Sequence, residues 1–229
     1  MKYKLHLGDK VYDVPHRLTI NQFAELANWD IREPNNWRKI MSIVMKVPYE
    51  DTFIIPEKTI ELSIAFLIDK IYPEDAPLNK DGLVDIKNVK VGTFIDMEVF
   101  ISRGVQANIK NIINTLYNTE VKDDELLYDY YGGIKYYLNW RLNIFNSYRK
   151  LFGLDDEFSK NDTELQEKVD PAYNWYAFIA TLADEDFIKM DLVVEKPIIQ
   201  ALNFLAYKKD KAEEERKKLN ELYRSNRLN

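Results

Sequence analysis

The 229-residue sequence predicts a predominantly helical α+β fold, with one N-terminal β-hairpin, a run of helices and a long charged C-terminal helix. Three observations predict it. Polar and apolar residues alternate over the first 14 positions, which is the period of a strand. From Ile20 to Leu205 the apolar residues recur at three and four, the period of a helix face. Past Lys208 large aliphatics become rare, and acids precede bases at i,i+4, a spacing that supports a helix in solvent.

In chain order, Tyr3, Leu5 and Leu7 alternate with Lys2, Lys4 and His6, Gly8-Asp9 supplies a tight turn, and Val11 and Val14 resume around Tyr12. Thr19 is placed to cap a helix carrying Ile20, Phe23, Leu26 and Ala27 and ending near Trp29. Pro34 suits the first turn of the next helix, with Trp37, Ile40, Met41 and Val44, and Val47-Pro48 stops it. Pro56 starts a third, striped by Ile60, Ile64, Leu67, Ile68 and Ile71. A short extended stretch, Val84 to Val91, precedes a helix from Thr93 to Ser102 closed by Gly104. Ile109, Ile112, Ile113 and Leu116 make another. Asp123 is expected to cap a tyrosine-rich helix broken at Gly132-Gly133, with a longer helix from Lys135 to Phe152 and a polar loop from Asp155 to Asp170. Pro171 opens a helix with Trp175, Phe178, Ile179 and Leu182, Asp184-Glu185-Asp186 turns, and Asp191 or Glu195 opens the terminal helix. Ile198, Ile199, Leu202, Leu205 and Ala206 give that helix an apolar inner half, while Glu213 with Lys217 and Glu214 with Lys218 mark its charged outer half.

Two prolines, two acids and an Asn-Lys-Asp-Gly turn between Pro73 and Gly82 place a boundary there: an N-terminal α+β subdomain over 1–73, a linker over 74–90 and a helical domain over 91–229. A hydrophobic content of 46% is enough to build a core without metals or disulfides. The absence of cysteine excludes disulfides, thiolate zinc sites and thiol nucleophiles. No apolar stretch reads as a signal peptide or membrane anchor, so a soluble, intracellular protein is expected. The net charge of −6 argues against non-specific nucleic-acid binding, although the segment from Lys208 carries eight basic and five acidic residues.

No arrangement of residues supports catalysis, a cofactor or a metal. His6 and His16 stand ten apart without an acidic partner at ligand spacing. There is no Gly-x-Ser-x-Gly turn, and Gly132-Gly133 lacks phosphate-loop spacing. Asp123-Asp124-Glu125 and Asp184-Glu185-Asp186 lack the regular oxygen spacing and central glycine of a calcium loop, and read as acids near helix N-termini.

Aromatics are the more informative feature. Tyr128, Tyr130, Tyr131, Tyr136, Tyr137, Trp140, Phe145 and Tyr148 crowd one stretch, fitting either an aromatic core or a protein interface, since tyrosine combines a large apolar body with a polar tip. Tyr130, Tyr131, Tyr136, Tyr137 and Trp140, with Leu219, Leu222 and Tyr223 of the tail, are the candidate partner-binding residues.

Several segments, taken in order, resemble morphogenesis proteins of tailed bacteriophages, particularly long-genome (crAss-like and similar) phages. Tyr12-Asp13-Val14-Pro15 with Leu18-Thr19-Ile20-Asn21-Gln22-Phe23 looks like their hairpin-to-helix opening. Val91-Gly92-Thr93-Phe94-Ile95-Asp96-Met97-Glu98 is similar to a recurring helix start. Trp175-Tyr176-Ala177-Phe178-Ile179-Ala180-Thr181-Leu182-Ala183, then Ile188-Lys189-Met190-Asp191 and a charged helix, resembles the C-terminal part of tail-assembly chaperones. The resemblance implies a non-enzymatic tail or virion assembly or structural protein, either a chaperone or a virion component. It would contact other virion or tail proteins or its own copies, in the host cytoplasm or in the particle. The alternative is a nucleic-acid-associated phage protein packaged or used during infection.

Overall fold

The computed structural model describes residues 3–7, 10–152 and 171–226; the expected Gly8-Asp9 turn and the expected loop over 155–170 lie outside them. The fold is predominantly α-helical, with one small antiparallel sheet among the described residues. Strands β1 (Tyr3–Leu7) and β2 (Lys10–Val14) pair with Leu5 opposite Tyr12 and Leu7 opposite Lys10, so two residues connect them. The alternation is realised in burial: Leu5 and Val14 are core residues and Lys4 is exposed.

Chain contacts divide the molecule into two compact units, Met1–Val84 with Phe100–Leu138, and Asp85–Val99 with Asn139–Asn229. In the first, helix α1 (Ile20–Leu26) begins with a full capping box. The Gln22 N–H donates to Thr19 Oγ1 at 3.3 Å, and the Thr19 N–H donates to Gln22 Oε1 at 2.9 Å. The helix stops before Trp29 because residues 27–29 tighten to i→i−3 bonds. Its Gln22 is buried, and the side-chain amide donates to the carbonyls of Val44 (2.8 Å) and Ile43 (3.2 Å) near the end of α2 (Trp37–Met45). A 3-10 turn at Pro34–Asn36 leads into α2, and Lys46 ends it in the left-handed conformation at φ 54°. Helix α3 (Glu57–Ile71) buries Ile60, Ile64, Leu67 and Ile71. Ile68, expected on that stripe, is 48% exposed because it lies one helical step off it.

The segment expected as a linker is divided between the units: 74–84 belongs to the first, where Ala76 is buried and the Lys135 ammonium holds Glu74, and 85–90 belongs to the second. After α4 (Val91–Ser102) and α5 (Ile109–Tyr117), whose Ile109, Ile112, Ile113 and Leu116 are all buried, the tyrosine-rich helix forms from Tyr128 but is not capped by Asp123. Asp123 instead accepts the Asn21 N–H on its carbonyl and pairs its carboxylate with Lys110 at 2.8 Å. Helix α6 (Tyr128–Ser147) then runs without interruption through Gly132-Gly133. The two glycines are there for close approach, not as a break. A Cβ on Gly132 would lie 2.0 Å from the Pro77 carbonyl oxygen, and one on Gly133 would lie 2.2 Å from the Tyr117 hydroxyl.

In the second unit, α4 starts at Val91, two residues earlier than expected, because its first turn is anchored by a bridge. The Val91 N–H donates to Lys196 and the Ile198 N–H to Val89, each at 2.8 Å. Helix α7 (Pro171–Leu182) is followed by a turn in which Asp184 and Glu185 take positive φ. Asp186 caps α8 (Phe187–Val194) by accepting the Ile188 N–H at 3.0 Å. The terminal helix α9 (Ile198–Asn226) therefore begins neither at Asp191, which lies inside α8, nor at Glu195, which ends it. Pro197 sits just ahead of the first turn of α9, where its missing N–H costs nothing. Ile198, Ala201 and Leu202 are core residues, Ile199, Leu205 and Ala206 are half-buried, and from Lys209 outward nearly every described residue is exposed. Among the described residues no helix is long and apolar enough to cross a membrane.

Candidate functional site

Two features of the second unit could meet a partner: an aromatic cleft and the outer face of α8. The cleft has a volume of about 690 Å³ and is lined by Phe145, Phe152, Trp175, Phe178, Leu202 and Leu205, with Glu98 in its wall and Lys208 and Lys209 at its edge. Helix period brings its rings together. Phe94 on α4 meets Trp140 edge-on at 6.0 Å, Phe145 at 6.5 Å and Trp175 edge-on at 5.6 Å, and Phe145 and Phe152 approach to 4.4 Å. Edge-to-face contacts of this kind fix ring orientation as well as burying area.

Glu98 would be costly here alone, because an uncompensated carboxylate in an apolar wall keeps its full desolvation penalty. Arg141 on α6 answers it with two parallel bonds, Nε to Oε1 at 2.5 Å and Nη2 to Oε2 at 2.6 Å, and its guanidinium also lies 4.5 Å from the Phe145 ring centre. The pair is thus fully used within the unit, and it holds α4 against the second half of α6. At the edge, Lys208 bonds the Asp184 carboxylate, which holds that carboxyl below its usual range, and Lys209 donates to the Lys150 carbonyl. Asp184 and Asp186 are thereby assigned to the turn and the cap. Among the described residues no group of three or more His, Asp or Glu side chains gathers at metal-binding distance.

The α8 face is different in kind. Phe187, Ile188 and Leu192 are 78%, 80% and 63% exposed on an eight-residue helix. Full burial of each such side chain is worth about 1.5–3 kcal/mol, so three of them on one short helix are a large unused driving force. The sequence pattern gives no separate helix between the Asp184-Glu185-Asp186 turn and the terminal helix, so this face is not legible in it.

The candidate partner-binding residues separate into three groups. Tyr137, at 1% exposure, and Tyr131, at 9%, are core residues of the first unit and offer no surface to a partner. Tyr131 packs on Tyr72, which in turn meets Phe23 edge-on. Tyr130 is half-buried, edge-on to Tyr117 at 5.2 Å, and its hydroxyl donates to Glu125; Trp140 is half-buried against Phe94. Tyr136, Leu219, Leu222 and Tyr223 are exposed. Helix α6 is therefore chiefly a packing element. Its tyrosine density reflects the need to be covered along much of its length. No family model matches the sequence, and no curated protein or solved structure matches it.

Proposed function

We propose that this chain is a non-enzymatic protein-binding component of tailed-bacteriophage morphogenesis, a tail or virion assembly or structural protein that docks other virion or tail proteins. The observation that carries the protein-binding part is the exposed apolar face of α8, Phe187, Ile188 and Leu192. The cleft beside α7 offers a second apolar surface of a size that takes one or two inserted side chains. The bacteriophage assignment rests on the sequence resemblance alone. On this reading the chain acts in the host cytoplasm during assembly, on the way to the particle.

Cross-linking mass spectrometry on infected cells and on purified particles tests the proposal, because Lys189 and Lys196 flank the α8 face. Cross-links from these lysines to virion or tail proteins support it. Tight, salt-sensitive binding to nucleic acid in a gel shift at two salt concentrations, without such cross-links, overturns it in favour of a nucleic-acid-associated role.

A further inference from the structure

Beyond Lys209 nearly every described residue of helix α9 is exposed, yet the stripe that is buried at Ile198, Ala201 and Leu202 continues outward in the same helical register. Its members there are Ala212, Leu219 and Tyr223, with Glu215 and Arg216 between them; Leu219 is 51% exposed and Tyr223 63%. The flanking charges are ordered in two adjacent blocks, Glu213-Glu214-Glu215 and then Arg216-Lys217-Lys218.

We propose that this outer half is a self-association surface, on which α9 of a second copy lies antiparallel. Sliding two copies past one another with the dyad between Glu215 and Arg216 sets each acidic block beside the basic block of the other copy. The same register puts Ala212 against Leu219 and brings the Lys208–Lys209 region beside Leu222 and Tyr223. A parallel pair would place like blocks together, so the charge order selects orientation as well as partner. Among the described residues the blocks find weak, exposed relief: Glu214 and Lys218 meet at 3.1 Å, Lys211 and Glu215 at 3.9 Å, and Glu213 turns to Lys150 at 4.0 Å. A free helix of this length is marginal in water, which is a further reason for it to pair. This inference does not depend on the bacteriophage reading or on the α8 face.

Sedimentation equilibrium of the full chain tests it with two charge variants, E213K/E214K/E215K and R216E/K217E/K218E. The wild type should dimerise reversibly, each variant alone should dissociate at least tenfold more readily, and an equimolar mixture of the two should recover association as a heterodimer. The chain has no cysteine, so Tyr207→Cys gives a single site for a spin label. Antiparallel pairing separates the two labels by roughly 25 Å along the axis at 1.5 Å per residue, whereas parallel pairing sets them side by side. A wild-type monomer at 100 µM protein, a dimer indifferent to both triple substitutions, or labels side by side would each overturn the proposal.

Discussion

Gly132→Ala is the substitution for which helix propensity and packing disagree most sharply. In an exposed helix interior the change would stabilise by about 1 kcal/mol, since alanine loses less backbone freedom on folding. Here the added Cβ would sit 2.0 Å from the Pro77 carbonyl oxygen, 2.5 Å from its carbon and 2.9 Å from the Leu78 nitrogen. All three are backbone atoms, so no side-chain rotation relieves the overlap, and either the segment or the helix must move. Overpacking of this kind costs about 1–3 kcal/mol, occasionally more, so a net loss is expected despite the propensity gain. At about 2–4 °C per kcal/mol for a chain of this size, Tm should fall by several degrees. Gly92→Ala is the internal control, because its Cβ would meet only Val194 atoms at 3.5 Å, an ordinary contact, and that variant should keep or raise Tm. Both are read by thermal denaturation followed by circular dichroism at 222 nm. A Gly132→Ala protein as stable as the wild type would refute the close-approach reading and return Gly132-Gly133 to the role of a soft point in the helix.

Other expectations follow from the polar groups inside each unit. Gln22→Ala removes a capping-box partner and two bonds to the end of α2, leaving buried carbonyls unmatched, and should lower the urea-derived stability by about 2–3 kcal/mol. Arg141→Met should cost about 3–5 kcal/mol because Glu98 is left buried and alone, whereas the double variant with Glu98→Met should recover most of that loss; Trp140 and Trp175 fluorescence report both. Burial, with the Glu74 charge, pushes the Tyr131 phenol up to about 12, while the unfolded chain ionises near 10. Below pH 10 both states hold the proton. Between about pH 10 and 12 only the unfolded state has lost it, so roughly 2 kcal/mol of stability should disappear as pH rises through that window, and Tyr131→Phe should flatten the fall. Leu202→Asp, a charge placed at a fully buried position, should unfold the second unit at ambient temperature.

Most helices were legible from local chemistry, although α8, capped locally by Asp186, was not read as a separate helix. Thr19, Pro34, Pro56 and Pro171 mark starts, and the three-and-four spacing of Ile109 to Leu116 marks a face, all without reference to distant residues. Other errors lie where a distant segment decides. Gly132-Gly133 reads as a break until Pro77 and Tyr117 are seen against it, and the start of α9 shifts to Ile198 because Val89 and Val91 bridge to it across more than a hundred residues. Glu98 carried a usable signal: a carboxylate three and four positions from the apolar anchors of its helix requires a cation, and Arg141 stands among the α6 aromatics. The exposed face of α8 had none, because a run of Phe, Ile, Met and Leu gives no indication of which side turns outward. Of the aromatic cluster on α6, sequence alone could not separate core from interface, and burial assigns Tyr131 and Tyr137 to the core.

The most direct measurement is co-sedimentation of the chain with assembling particles, comparing the wild type with an Ile188→Asp/Leu192→Asp variant. Both side chains are exposed, so the variant should keep its thermal transition and its tryptophan fluorescence. If α8 is the docking face, the wild type sediments with particles or their precursors at fixed stoichiometry, resists nuclease, and the variant stays in the supernatant. Equal incorporation of the two proteins, or release of the wild type by nuclease, would contradict a protein-docking role for this face.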